Sequence, residues 1–440
     1  TALSYKLFGI NDFSSVFFVL LTSIGNIILI YYFGKLLFNE KTGLMASFLM
    51  SFFPLEVVYS TRLLSDLPSA FFMSLGVYLF LYSELKNKNY YFSSGIFVGI
   101  GYLIRESALL IGLFFLTYMI YKRQIKREYY LILLGFFGIF YMESLMFYGL
   151  TGETFFRITA SQEYLAQADQ SYNFFNRLSF SGLFHYPHLL LTNHLISYFF
   201  IIFLVFAIPY FISFRKKEDT MFLWLIPLLL YLSFGSSSFL TYTPFKAEIR
   251  YLEIIVMPLI LILVSSFSIK KREWYRSFGI NYLTEGEPLQ KTKILILVVL
   301  FLTSIGAIYL NKDRGVLDDL RYMYSYVVEQ SGNLPLNDGF LMYTDSRTIK
   351  AINYINGYKN NLNLKNYPSD MSNIKYSYIL INNDMINKLG NKITLPKETK
   401  NPPNNWRILK EVGIKENKIV LYYTEKESQM CGVIQTVKYQ

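Results

Sequence analysis

The chain has 440 residues, of which 53% are hydrophobic, 18% aromatic and only 17% charged, against roughly 25% charged in an average soluble domain. A water-soluble fold cannot hide that much apolar surface, because exposed area still scales with size, so lipid is the expected solvent. The net charge of +11 comes from Lys and Arg set in short runs between apolar stretches, a membrane-topology pattern that argues against a nucleic-acid-binding stripe. The single cysteine, Cys431, rules out an intrachain disulfide and a cysteine metal cluster. The first residue is Thr1, and no charged segment or cleavage pattern of a signal peptide opens the chain, so it reads as a fragment lacking its natural N-terminus.

A bilayer core of about 30 Å needs about 20 apolar residues in a helix. Apolar stretches at 14–38, 44–60, 67–85, 91–104, 106–121, 129–148, 189–213, 220–241, 249–269 and 293–310 predict nine or ten transmembrane helices, according to whether 91–121 is one span or two. Taken as two, 91–104 and 106–121 put Lys35, Lys41, Lys86, Lys88 and the basic runs 122–127, 215–217 and 270–272 on one face. The other face receives only Arg62, Arg105, Arg157, Arg177, Lys246 and Arg250. The imbalance of about three to one marks the basic face as cytoplasmic and favours ten helices. The segment 149–188 then reads as an external loop with short interfacial helices.

After residue 310 the composition changes, with Lys, Asn, Asp and Gly becoming common. Strands are expected at 339–344, 376–381 and 418–423, the last preceded by Trp406 to Leu409, with a helix over 346–356 and a loop at Asn401-Pro402-Pro403-Asn404. The expected architecture is therefore mainly α. A polytopic transmembrane helical bundle occupies 1–310, and a small α/β extracytoplasmic domain occupies 311–440.

In such a protein the informative residues are ionisable groups at helix ends on one face. The turn Tyr59-Ser60-Thr61-Arg62-Leu63-Leu64-Ser65-Asp66-Leu67-Pro68 brings an acid and a base to the outer surface. Asp66 there is either a helix cap or a ligand for a divalent metal or phosphate, and Arg62 either an interfacial anchor or part of that site. Arg105-Glu106 is either an ion pair pinning a helical hairpin or an anion contact oriented by its carboxylate. Lys246 and Arg250, four apart before Tyr251, share a face if helical. Two cations there suit a lipid phosphate or pyrophosphate, Arg by its forked geometry, although both could simply snorkel. His185, His188 and His194 fall close together, but their spacing matches no recognised ligand pattern. No phosphate-binding Gly loop, dinucleotide motif, zinc-protease motif or nucleophile elbow is present.

The series Leu7-Phe8-Gly9-Ile10-Asn11-Asp12-Phe13, Phe33-Gly34-Lys35-Leu36-Leu37-Phe38-Asn39, Phe53-Pro54, Tyr59-Ser60, Arg62, Asp66-Leu67-Pro68, Arg105-Glu106-Ser107 and Arg250-Tyr251 resembles the dolichyl-phosphate-mannose protein mannosyltransferase family of the C-type glycosyltransferase superfamily. The resemblance covers residues 1 to about 270, carried mainly by order and spacing. It implies transfer of a sugar, with inversion, from a polyprenyl-phosphate donor in the outer leaflet to a protein, lipid or polysaccharide acceptor, with lipid phosphate as leaving group. It also implies a multi-pass protein of the plasma membrane. Asp66 and Glu106 take the acidic catalytic positions, and Asp66 matches one linked to metal or acceptor binding, the metal being a divalent ion such as Mg or Mn in some members. Arg62, Arg105, Lys246, Arg250 and Tyr251 fall to donor and lipid-phosphate binding. The family's first external loop, with its catalytic acid, would lie upstream of this sequence. The readings from other classes are a transporter or flippase, and a non-catalytic membrane scaffold presenting the external domain.

Overall fold

The computed structural model describes residues 2–160, 184–213, 219–236, 248–267, 290–311, 316–331 and 341–358, and, within 363–424, all but 372–373, 375, 384–385, 388–394 and 414–417. The chain divides into two compact units, Thr1–Leu7 with Asp12–Lys312, and Phe8–Asn11 with Asp313–Gln440.

The first unit is helical. After a short α1 (Ala2–Phe8), α2 (Asp12–Leu37) is the longest apolar helix, and Asn39 caps the next one by accepting from the Thr42 amide at 2.9 Å. The stretch expected as one span over 44–60 is two helices, α3 (Glu40–Ser51) and α4 (Pro54–Ser60), bent by 56°. Proline lacks the amide hydrogen a continuing helix needs, but it suits the first turn of a new one. Helix α5 (Asp66–Lys86) ends on left-handed Asn87, and α6 (Tyr91–Ile104) follows. A 3-10 turn, Glu106–Ile111, leads into α7 (Gly112–Lys122), so 91–121 is two helical segments broken at Arg105. Helix α8 (Tyr130–Thr151) closes on Gly152 at φ 79°. The expected span 189–213 is likewise divided, into α9 (His185–Thr192) and α10 (Ser197–Ser213), at 98°. Helices α11 (Asp219–Phe234), α12 (Glu253–Ser266) and α13 (Gln290–Leu310) complete its described helices.

Helix thus occupies each of the ten expected stretches. Among the described residues three helices are long and apolar enough to cross a membrane, or up to five if each bent pair is one span. Helices over Tyr91–Ile104, Thr220–Phe234 and Ile294–Leu310 are apolar but shorter.

Two packing devices hold the bundle. Every residue of α12 is buried, as a helix apolar all round must be at the centre of its neighbours, whereas α8 leaves Leu133, Phe137, Tyr141, Met142 and Leu145 exposed. Small residues let backbones approach: a Cβ on Gly95 of α6 would sit 2.0 Å from the Ile132 carbonyl oxygen, and one on Gly135 of α8 would sit 2.3 Å from that of Phe92. Serine hydroxyls bridge α5 and α6, Ser94 donating to the Gly76 carbonyl at 2.7 Å and Ser69 to that of Gly101 at 3.0 Å.

The second unit holds α14 (Val316–Ser331), α15 (Ser346–Ile355) and a five-stranded sheet of order β2-β1-β3-β5-β4. The strands are β1 (Leu341–Thr344), β2 (Asn363–Asn366), β3 (Tyr378–Asn382), β4 (Trp406–Val412) and β5 (Ile419–Thr424). β1 runs parallel to β2 and β3, while β3–β5 and β4–β5 are antiparallel. Strand β3 is buried throughout: Tyr378 and Leu380 pack with Leu320, Met323 and Ile352, whereas Ile379 and Ile381 pack with Met371 and Trp406. A strand buried on both faces carries apolar residues at successive positions, and the alternation and β-branched content of YSYILI mark it as a strand in the sequence. Strand β2 was not anticipated, because the polar NLKN is an exposed edge without alternation.

Candidate functional site

The site is built where helices break. Asp66 opens α5 after the turn 61–65, with no side-chain cap from Ser65. Arg105 leaves α6 in an extended conformation, φ −158° and ψ 135°. Glu248 is also extended and leads into the 3-10 turn Ile249–Leu252, which carries Arg250 and Tyr251 onto the start of α12.

These breaks bring four of the anticipated residues together. Arg105 is ion-paired through Nη1 with Asp66 Oδ1. Arg250 Nη1 lies 3.9 Å from Asp66 Oδ2, and its Nε lies 2.5 Å from Glu248 Oε2. Both guanidinium groups also lie against the Tyr251 ring, at 4.8 Å for Arg105 and 5.4 Å for Arg250. Asp66 is 4% exposed, while Arg105 and Arg250 keep 19% and 29% of their side chains open. Two cations gathered over one ring repel each other unless an anion lies between them. Asp66 and Glu248 compensate that charge, and the partly open forks remain suited to a phosphate. Arg62 stacks 5.4 Å from the Tyr59 ring, and Tyr59 is within electrostatic reach of Arg62, Asp66, Arg250 and Glu253.

Two anticipated residues stand differently. Glu106 Oε1 accepts from Arg157 Nε at 3.3 Å, while Arg105 takes Asp66 as a carboxylate partner. The reason is the break itself, since successive side chains on extended backbone point to opposite sides. Lys246 lies outside the described residues.

The structure adds residues that the sequence reading passed over. Glu56 and Glu253 are almost fully buried in α4 and α12, and Asn26 of α2 donates to Glu56 Oε1 at 3.3 Å. Asn26 Oδ1, Glu56 Oε2 and Glu253 Oε1 make no hydrogen bond within the described chain. The available signal was a carboxylate inside an apolar run, which is costly in a membrane and for that reason functional by default.

A divalent metal at Asp66 finds little support in this donor set. Its carboxylate is shared between two guanidinium groups, and among the described residues no group of three or more His, Cys, Asp or Glu could hold a metal ion. His185 and His188 rings lie 6.5 Å apart, and His194 instead contacts the Asn311 amide.

Residues 1–147 match the family model of dolichyl-phosphate-mannose-protein mannosyltransferase. A comparison with curated protein sequences returned no match. Among solved structures, the chain is similar to ArnT from Cupriavidus metallidurans bound to undecaprenyl phosphate, with a TM-score of 0.54 and 11% identity over 96% of this chain and 85% of that one. Two structures of the Archaeoglobus fulgidus oligosaccharyltransferase, one tethered to an acceptor peptide and one (AglB) with an inhibitory peptide and a dolichol-phosphate, each give a TM-score of 0.49 at 12% identity. This chain spans 54% and 59% of their lengths. The first third of the chain therefore carries the sequence pattern of the dolichyl-phosphate-mannose-protein mannosyltransferase family, on a fold like that of ArnT.

Proposed function

We propose that this protein is a membrane glycosyltransferase that takes a sugar from a polyprenyl-phosphate donor and passes it to a protein, lipid or polysaccharide acceptor on the extracytoplasmic face of the plasma membrane. The observation that carries the reading is the pair Arg105 and Arg250, held over Tyr251 by Asp66 at the ends of apolar helices. In an inverting transfer a carboxylate base takes the proton of the acceptor hydroxyl as its oxygen attacks the anomeric carbon, the bond to the lipid phosphate breaks, and negative charge grows on the leaving oxygen. Two partly open guanidinium groups stabilise that charge more in the transition state than in the ground state. Tyr251 keeps them oriented, Arg62 adds a cation in the turn before Asp66, and Lys246, four residues before Arg250 in the sequence, is a further cation for the donor. Asp66 serves the reaction by fixing both arginines, and Glu106 acts through its pair with Arg157. The fold likeness to a protein solved with undecaprenyl phosphate agrees with such a donor. No step above depends on a divalent ion, since both oxygens of Asp66 face guanidinium groups.

Transport is the second reading, favoured by the buried Glu56 and Glu253. Glu253 lies one turn beyond Arg250, and Tyr59, at the end of the short helix carrying Glu56, is within electrostatic reach of Asp66. Both carboxyls thus lie behind the surface site, whereas transporters gather polar groups near the middle of the bilayer. The test is release of radiolabelled mannose or glucose from polyprenyl phosphate by the protein in membranes. Arg250→Ala is expected to reduce release at least tenfold, and Lys86→Ala, exposed at the opposite end of α5, to leave it unchanged. Equal effects of the two substitutions would refute the proposal, and no release from either donor by folded protein would exclude mannose and glucose as the sugar and favour the transport reading.

A further inference from the structure

We infer that Arg157, which neither the sequence reading nor the family resemblance assigns to the site, is the positioning residue for Arg105. Its functional consequence rests on reading Arg105 as a ligand of the donor phosphate.

The case begins with a helix end. The last four carbonyls of a helix have no intrahelical donor, and α6 ends abruptly because Arg105 is extended. The Gly101 carbonyl is satisfied by the Arg105 amide at 2.9 Å and the Ser69 hydroxyl at 3.0 Å. The next two are satisfied from outside by one side chain: Arg157 Nη2 donates to the Tyr102 carbonyl at 2.9 Å, and Nη1 to that of Leu103 at 3.0 Å. The same Nη1 donates to Glu143 Oε1 of α8 at 2.7 Å, and Nε to Glu106 at 3.3 Å. The guanidinium also lies 4.8 Å from the Tyr102 ring.

Arg157 is therefore committed on Nε, Nη1 and Nη2, which leaves it poorly placed to hold a ligand itself. Its partners instead flank Arg105 on both sides, at Tyr102, Leu103 and Glu106. A cation at a helix C-terminus is also favoured by the helix dipole. By closing α6 two residues before Arg105 and holding Glu106 one residue after it, Arg157 fixes the backbone from which Arg105 reaches Asp66 and Tyr251. The buried Glu143 anchors Arg157 to α8, so the segment after α8 and the donor site are tied through a single side chain. Lysine could not replace it, because one ammonium cannot span two carbonyls and two carboxylates.

Two measurements on the full chain test this. The first needs no ligand: the thermal midpoints of Asp66→Asn, Arg105→Ala and the double variant give the coupling of that pair, in wild-type and in Arg157→Ala backgrounds. The coupling is expected in the wild type and should fall by more than half in Arg157→Ala; equal coupling in both backgrounds overturns the inference. The second measures the dissociation constant for undecaprenyl phosphate. Arg157→Ala should raise it about tenfold, Arg157→Lys should restore little, and Arg105→Ala with Arg157→Ala should bind no more weakly than Arg105→Ala alone. Multiplicative effects would show that Arg157 acts independently and would also overturn the inference. If wild-type protein does not bind undecaprenyl phosphate, the proposed function fails while the first measurement still decides the positioning role. Should Arg157→Ala not fold, Glu143→Gln weakens the anchor without removing it and carries both tests, with about a threefold loss of affinity expected.

Discussion

Replacement of Gly95 by alanine links helix packing to the site. The added Cβ would lie 2.0 Å from the Ile132 carbonyl oxygen and 2.8 and 2.9 Å from the carbonyl carbon and Cα of the same residue. Ordinary contact begins at 3.4 Å, so α6 and α8 must separate by 3.4 − 2.0, or about 1.4 Å, at a point where backbone faces backbone and no rotamer change can relieve the clash. Overpacking of this kind costs about 1–3 kcal/mol. With backbone atoms as its three nearest neighbours, the expected loss lies at the upper end, a fall of about 6 °C in thermal midpoint at roughly 2 °C per kcal/mol. The same separation pulls Glu143 of α8 away from the α6 terminus that Arg157 closes, so donor affinity should fall with stability. The assay is a thermal scan of purified protein in detergent, paired with undecaprenyl phosphate binding. A midpoint within 1 °C of wild type would refute the argument that the glycine is there for close approach.

Other outcomes are expected from the geometry. Asp66→Asn keeps a side chain of the same shape but removes the charge between two guanidinium groups, so turnover should fall about tenfold with the protein still folded; unchanged turnover would reduce Asp66 to a helix-start residue. At the opposite end of α5, Glu84 accepts from Tyr91 at 2.7 Å, Tyr129 at 3.1 Å and Lys126 at 3.0 Å. Glu84→Gln should cost about 2 kcal/mol, because bonds to a charged acceptor are the strong ones and Lys126, about a third exposed, contributes less than a buried partner would. Scans should show that loss with sugar release unaffected. In the C-terminal unit, burial pushes the Tyr367 phenol well above its usual 10.0, Asp345 adds to the rise, and a hydrogen bond with Thr344 opposes it. The neutral form is therefore the folded form. Stability is fully present below about pH 10 and declines as the pH rises beyond it, because the unfolded chain loses its proton first. Tyr367→Phe should flatten that alkaline decline, measured as midpoint against pH, while lowering the midpoint at pH 7 through loss of its 2.6 Å bond to the Leu380 carbonyl.

Much of this was determined by the sequence alone. Length and apolarity of runs such as 91–104 specify a helix whatever its neighbours, because an unpaired backbone group in lipid is too costly. The run YSYILI marks a strand by an equally local signal, its alternation and β-branched content. The resemblance carried by Asp66, Arg105 and Arg250-Tyr251 also needed only their order along the chain. The tertiary structure alone decided the pairing. Arg105 is adjacent to Glu106 in sequence, yet it pairs with Asp66, 39 positions away (105 − 66), because the extended backbone at Arg105 turns neighbouring side chains apart. Arg157 reads as one loop cation among several until the end of α6 comes within its reach. Glu56 and Glu253 drew no reading from the sequence, and only the packing shows both carboxylates buried. Periodicity and hydropathy are properties of neighbours along the chain, and they fix which segments become helices and strands. Ion pairs and helix caps depend on distances between segments far apart in sequence, which are set only when the helices break, bend and pack.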